Sequence, residues 1–323
     1  MPDTTRYAVD PTSPTGTSAS MPAGSAPDSG APDSGAPDSG APDSGAPDSG
    51  APDSGAPERP RPQELLELAL AVAQEAGDLL LRGRVGAVAA ESTKSSPTDV
   101  VTALDRASEE LVGRRLREAR PADGLLGEEG ADDPGTSGVR WIVDPLDGTV
   151  NYLYNLPNWA VSIAAEINGT VLAGVVHAPA MGVTYTAALG EGSARNGVTL
   201  SGSAVGDLAH ALVATGFGYT VERRTGQVAV LTRVLPRVRD IRRMGAAALD
   251  LGAAAAGLVD AYYERGLHPW DHAAGALVAT EAGLRVGGLH GRPVSNDLTI
   301  AAPPQLFDQL HDLLAADPPA DRD

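Results

Sequence analysis

Cysteine is absent from this 323-residue chain. That single absence excludes thiol nucleophiles, disulfides and cysteine-ligated zinc, and it is compatible with a reducing, cytoplasmic setting, which is the expected location. Histidine is sparse: of six residues, His177, His210, His290 and His311 are scattered. His268 and His272 have helix-compatible spacing, but Pro269 and Trp270 are expected to interrupt a helix there, so no histidine metal pair is expected. No run approaches the ~20 apolar residues of a membrane span, and Met1 to Ser20 lacks the apolar core flanked by basic residues of a secretory signal. Positive charge is also scarce, with 24 Lys and Arg against 42 Asp and Glu and a net charge of −18. Residues 1–60 hold nine acids against Arg6 and Arg59, which leaves −11 for the remainder. This balance argues against broad nucleic-acid or anionic-membrane binding. An anionic ligand would have to be drawn in by local cations rather than by the general field.

From Ala26 to Gly55 the pentamer Ala-Pro-Asp-Ser-Gly repeats six times without one large apolar residue. Nothing in it offsets the entropy of ordering, so residues 1–60 are expected to be a disordered spacer. The folded part is expected to divide into an N-terminal α+β lobe over 61–201 and a C-terminal α/β lobe over 202–316, with a tail at 317–323. Leu65, Leu66, Ala69, Val72, Ala76, Leu79 and Leu80 give Gln63 to Leu81 a helical period. A second helix is expected from about Asp99 to Arg117. Strands are expected near Leu125 and Trp141, then over Val161 to Ile167 and Val171 to Val176, with Asn168-Gly169 as a hairpin turn. Beyond about Gly202, strands near Ala211, near Ile241 and over Val259 to Tyr263 alternate with helices over Val221 to Leu235, Ala246 to Ala256 and Asp271 to Ala282. The fold class is therefore a layered α/β body whose active site lies between its halves.

The chemistry concentrates in Trp141-Ile142-Val143-Asp144-Pro145-Leu146-Asp147-Gly148-Thr149-Val150-Asn151-Tyr152. The apolar run predicts a buried strand, Pro145 is expected to end its pairing, and Asp147-Gly148-Thr149 predicts a helix N-cap and first turn. Helix N-termini bind phosphate through unpaired amides, whereas carboxylates on the same turn repel it unless a divalent cation lies between. Taken alone, the motif reads equally as a helix cap after a strand end. Three further acidic segments accompany it. Asp105 follows Lys94 to Leu104 at the front of a helical pattern, Glu128-Glu129 follows a short apolar run ending at Gly127, and Trp270-Asp271 brings a carboxylate to a helix start. Asp144 and Asp147 have two residues between them, whereas aspartyl-phosphate phosphatases need one, so a covalent phosphoenzyme is not expected.

These four segments together resemble the inositol monophosphatase family. The pattern runs through Lys94 to Asp105, Gly127-Glu128-Glu129, the Trp141 to Tyr152 block and Trp270-Asp271 to Glu281-Ala282-Gly283, and covers the chain from about Pro62 to about Leu314. The resemblance implies an alternating α-β-α-β-α sandwich of the inositol monophosphatase and fructose bisphosphatase type. It also implies two or three Mg²⁺ ions held by Glu128, Asp144, Asp147, Asp271 and the Leu146 carbonyl, all hard oxygen donors. Carboxylates within ~4 Å repel by roughly 4 kcal/mol per pair at an effective dielectric of 20, so such a cluster calls for cations. By the same resemblance, Asp105 and Thr149 orient the attacking water with Glu128, and the Gly148 and Thr149 amides hold the phosphate beside Asp147 and Asp271.

Gly245, Ala246 and Ala247 match the segment whose backbone meets the inositol ring, although Gly245 reads equally as a helix-start glycine packed against a strand. Glu264 matches the acid that binds ring hydroxyls. The expected activity is hydrolysis of a small phosphate monoester, inositol 1-phosphate foremost, by direct attack of metal-activated water. Val150-Asn151-Tyr152 stands where nucleotide phosphatases of the superfamily carry Lys-Glu-Phe, and the short connection from Ala131 to Val139 contrasts with the longer insertions of sugar bisphosphatases. Histidinol phosphate or a sugar phosphate remains an alternative substrate. Pro269 and Val150 depart slightly from the family pattern. The resemblance also implies a homodimer, and, since some bacterial members bind the transcription machinery, an alternative role as a binding partner.

Overall fold

The structure is a computed structural model that describes residues 60–84, 92–93 and 100–316; the repeat leader, Lys94 and the tail from 317 onward lie outside the described residues. Helix α1 (Pro62–Gly83) begins with Pro at its first position and buries Leu65, Ala69, Val72, Ala73, Ala76 and Leu80 along one stripe. A short antiparallel pair, β1 (Ser92–Thr93) and β2 (Val100–Val101), precedes α2 (Ala103–Ala119). The helix expected from about Asp99 starts later because Thr102 caps it: its hydroxyl oxygen accepts from the Leu104 and Asp105 amides.

The first half continues with β3 (Gly124–Gly127), β4 (Asp132–Asp133), β5 (Val139–Asp147), α3 (Thr149–Leu153), β6 (Ala160–Ile167), β7 (Thr170–Ala178), β8 (Val183–Ala188), β9 (Gly192–Arg195) and β10 (Val198–Thr199). These strands form an eight-stranded sheet in the order β10-β9-β8-β7-β6-β5-β3-β4, antiparallel throughout except for the β3/β5 pair. Asn168 (φ 51°) and Gly169 (φ 77°) make the tight β6–β7 turn expected of that dipeptide.

The second half holds β11 (Leu212–Thr215), α4 (Val221–Val234), β12 (Asp240–Arg242), α5 (Ala247–Ala255), β13 (Ala261–Glu264), α6 (Pro269–Glu281), β14 (Arg285–Gly287), β15 (Thr299–Ala302) and α7 (Pro304–Ala315). Its five-stranded sheet has the order β12-β11-β13-β15-β14, with β11 parallel to both β12 and β13. The alternation of strand side chains assigns the layers. Ala261 and Tyr263 face a core with Val230 and Val234 of α4 and Phe307 and Leu310 of α7, while Tyr262 faces the core built on α5 and α6. That middle core also takes Ala164 and Val176 from the large sheet, whose other face packs Ala165 and Val175 against α1 and α2. The result is the five-layer α-β-α-β-α order.

Two local expectations are corrected. Pro145 interrupts β5 rather than ending it: a bulge separates Asp144 from Asp147, and pairing resumes at Asp147 opposite Ala160. Pro269 and Trp270 do not break a helix either, because Pro269 is the first residue of α6, where a missing N–H costs nothing. His268 instead precedes the helix and stacks on Trp270 at a ring separation of 5.0 Å.

Candidate functional site

The parallel pairing of β3 and β5 sets Gly127 opposite Val143, so the next residues, Glu128 and Asp144, emerge at the same sheet end. The Glu128 amide donates to the Val143 carbonyl at 3.2 Å and keeps the two chains together. Asp144 is almost fully buried and accepts from the Leu146 amide at 3.0 Å. Asp271 stands in the first turn of α6, accepting from the His268 amide at 2.6 Å.

Asp147 behaves differently from its expected role as the cap of its own helix. The N-cap of α3 is Gly148, at φ 91°, and Asp147 reaches to the start of α5, accepting from the Ala247 amide at 3.2 Å and the Ala248 amide at 2.8 Å. An acid there complements the positive end of a longer helix and ties β5 of the large sheet to α5 of the middle layer.

The electrostatics of these acids are collective. Burial pushes the Asp144 carboxyl well above the usual range, and the charges of Glu128, Asp147 and Asp271 push it further. Like charges gathered this closely call for a proton or a cation between them. Asp147 and Asp271 are raised in the same way, by burial first and then by the other acids. Among the described residues, no three acidic or histidine side chains close around one point as a finished cation cage. Asp144 and Asp271 each spend one oxygen on a backbone amide and keep the other, so the donor set suits a hard divalent cation.

Asp105 lies under this group at 1% exposure, in the first turn of α2. Its Oδ1 accepts from the Thr149 hydroxyl at 3.0 Å, and its Oδ2 accepts from the Thr102 amide at 2.9 Å and from the Thr102 hydroxyl. Burial pushes its carboxyl up to about 6 against these bonds. The Thr149 hydroxyl also lies 3.1 Å from the Leu146 carbonyl, the expected backbone ligand.

The remaining expected residues meet the same region. A Cβ on Gly148 would fall 2.8 Å from the Asn158 carbonyl oxygen, 3.2 Å from Ala246 Cβ and 3.3 Å from the Gly245 carbonyl oxygen, so only glycine allows the α3 start to press against the 245–246 segment. Asn151, which sequence reasoning missed, pins that contact by donating to the Asn158 carbonyl at 2.7 Å and the Met244 carbonyl at 2.8 Å. Gly245 is at φ 90°, and the Ala247 amide is already engaged by Asp147. Glu264 ends β13, accepts from the Tyr262 hydroxyl at 2.7 Å, and is pushed up to about 7 by burial. Gly216 was also missed: a Cβ there would fall 2.0 Å from the Glu264 carboxylate. Asp250, fully buried in α5, has no hydrogen-bond partner among the described residues on either carboxylate oxygen. Burial, then the charges of Glu264 and Asp147, push it well above the carboxylate range.

A family model of the inositol monophosphatase family matches residues 61–317. An inositol-1-monophosphatase SuhB of Mycobacterium tuberculosis is 44% identical over 271 residues, covering 77% of this chain and 92% of that protein. The Nus factor SuhB of Escherichia coli K12 is 38% identical over 229 residues, covering 70% of this chain and 86% of that protein. The solved structure of Mycobacterium tuberculosis SuhB superposes with a TM-score of 0.70 at 40% identity, covering 81% of this chain and 99% of that one. A match spanning all five layers, and with them every acid of the cluster, means that this chain belongs to the inositol monophosphatase family.

Proposed function

We propose that the chain hydrolyses a small phosphate monoester, with inositol 1-phosphate as the preferred substrate, in a Mg²⁺-dependent reaction. The observation that carries this reading is the delivery of Glu128 and Asp144 to one sheet end by the parallel β3/β5 pair, where Asp144 also feels the charges of Asp147 and Asp271. Glu128, Asp144, Asp147, Asp271 and the Leu146 carbonyl would hold two or three ions. Mg²⁺, when bound, neutralises the phosphate and makes a nearby water more acidic.

The chain's own contribution is orientation and proton handling. With Asp105 ionised, the Thr149 hydroxyl donates to Asp105 Oδ1 and its oxygen accepts a hydrogen bond from the attacking water, so that as the water loses a proton to Thr149 the hydroxyl's own proton passes to Asp105. The water is thereby aimed, and Glu128 takes part from the acid cluster. Gly148 and Thr149 offer amides to the phosphate. Glu264, held by Tyr262, accepts from vicinal hydroxyls of the leaving polyol.

The direct test is phosphate release from inositol 1-phosphate, histidinol phosphate, fructose 1,6-bisphosphate and adenosine 3′,5′-bisphosphate, with Mg²⁺ and with chelator. Inositol 1-phosphate is expected to lead the order and chelator to abolish release. Equal release in chelator sinks the cation site, and a different leading substrate replaces the polyol assignment. The likeness to the Escherichia coli Nus factor favours one second role, contact with the transcription machinery. An Asp271→Asn variant that is silent as a phosphatase yet still retains purified RNA polymerase would separate the two.

A further inference from the structure

Glu109 sits one helical turn beyond Asp105 on α2, and its whole carboxylate is given to the turn that follows Glu128. Oε2 accepts from the Glu129 amide at 2.8 Å and Oε1 from the Ala131 amide at 3.1 Å. The Gly127 amide closes the same turn on the Ala131 carbonyl at 2.7 Å. At Gly127 a Cβ would fall 2.2 Å from Glu109 Oε2, so the carboxylate lies directly against the chain that enters Glu128.

An anion is an expensive choice here. Burial pushes the Glu109 carboxyl up, and the charges of Glu129 and Glu128 push it further, whereas the two amide bonds pull it down. Charge-assisted bonds to both amides offset that cost. A neutral glutamine would satisfy one amide and turn its own NH₂ toward the other.

The same helical face makes two further clamps. Ser108 donates to the Pro145 carbonyl at 3.0 Å, and Asp105 receives the Thr149 hydroxyl at 3.0 Å. Positions 105, 108 and 109 share one stripe of α2, so that stripe grips the end of β3, the bulge of β5 and the start of α3.

We propose that Glu109 is a positioning residue for the cation site: by holding the Glu129 and Ala131 amides it fixes the Glu128 carboxylate against Asp144, and so sets the affinity for the divalent cation. The proposal rests on the cation site of the proposed function. Partners that orient metal ligands change metal affinity by about 10–100-fold when removed. The test is Mg²⁺ binding by titration calorimetry on the full-length wild type, Glu109→Gln and Glu109→Ala. Cooperative melting without metal serves as the check on folding, and KM for inositol 1-phosphate is measured at saturating Mg²⁺.

Glu109→Ala is expected to weaken Mg²⁺ binding by about 10-fold or more, and Glu109→Gln by less, while KM stays within about twofold. Folded variants that bind Mg²⁺ as tightly as the wild type overturn the positioning role. So does a raised KM with unchanged Mg²⁺ affinity. If Glu109→Ala does not melt cooperatively, Glu109→Gln decides by the same criterion. A wild type that binds no Mg²⁺ overturns the cation site along with this proposal, which distinguishes that failure from variants that match a binding wild type.

Discussion

Replacing Thr149 by valine removes one hydroxyl and keeps the volume of the side chain. The hydroxyl stands 3.0 Å from Asp105 Oδ1 and 3.1 Å from the Leu146 carbonyl, and its single proton serves one of them at a time. Without it, an almost fully buried carboxylate oxygen loses a donor, which costs about 1–3 kcal/mol. Because the lost bond favoured the ionised form, the Asp105 carboxyl also rises from its value of about 6 toward neutral pH. Catalysis loses more than stability. A group that orients the attacking water and relays its proton to a carboxylate contributes roughly 10²–10⁴ in rate. Thr149→Val should therefore lower kcat by about two to four orders of magnitude, whereas Thr149→Ser, which keeps the hydroxyl, should stay within about tenfold. The assay is phosphate release at saturating Mg²⁺ and substrate, paired with thermal melts of both variants. A folded Thr149→Val enzyme with kcat within about threefold of wild type would refute the role given to this hydroxyl.

Asp105 also sets an expected pH dependence. Its folded value of about 6 is raised above the ordinary 3.8, so holding it ionised costs stability, a cost absent below about pH 4 and complete above about pH 6. Activity runs the opposite way, since the ionised form is the stronger acceptor from Thr149 and the only one able to take up a proton, and kcat is expected to fall as pH drops through about 6; a flat profile from pH 5 to 8 at saturating Mg²⁺ and substrate would contradict this. Gly216→Ala should displace the Glu264 carboxylate, which lies 2.0 Å from the new Cβ. KM for inositol 1-phosphate should rise about tenfold while turnover of a simple aryl phosphate is unchanged, and equal effects on both substrates would argue against a polyol-reading role for Glu264. Tyr262→Phe removes the 2.7 Å bond to Glu264. It should cost about 1–2 kcal/mol in denaturant titrations and raise KM selectively for the polyol substrate.

Elements that depend on local pattern are legible in the amino-acid sequence alone. The α1 stripe from Leu65 to Leu80, the Asn168-Gly169 turn and the buried strand through Trp141 to Val143 each carry their signal within a few residues. Pro145 and Pro269 mislead because the same residue can stop an element, bulge it or start it. The outcome depends on whether a neighbouring strand or a helix start makes its missing N–H harmless. Gly216 and Glu109 carry no local mark at all. Their importance comes from close approach to Glu264 and to the Glu128 turn, contacts that no spacing along the chain announces.

The sequence by itself determined the chemical inventory: no thiol, hard oxygen donors, a Gly-Thr turn after two acids, and helical and strand periods that require a layered α/β body. Only the tertiary structure decided how that inventory is joined. Asp147 caps a helix 100 residues downstream, Glu128 reaches Asp144 through a parallel strand pair, and one stripe of α2 fastens both to Thr149. The physical reason is range: periodicity and capping act within a turn or two of the chain, whereas a site of mutually repelling acids is held by strand register and buried hydrogen bonds that exist only once distant segments have packed.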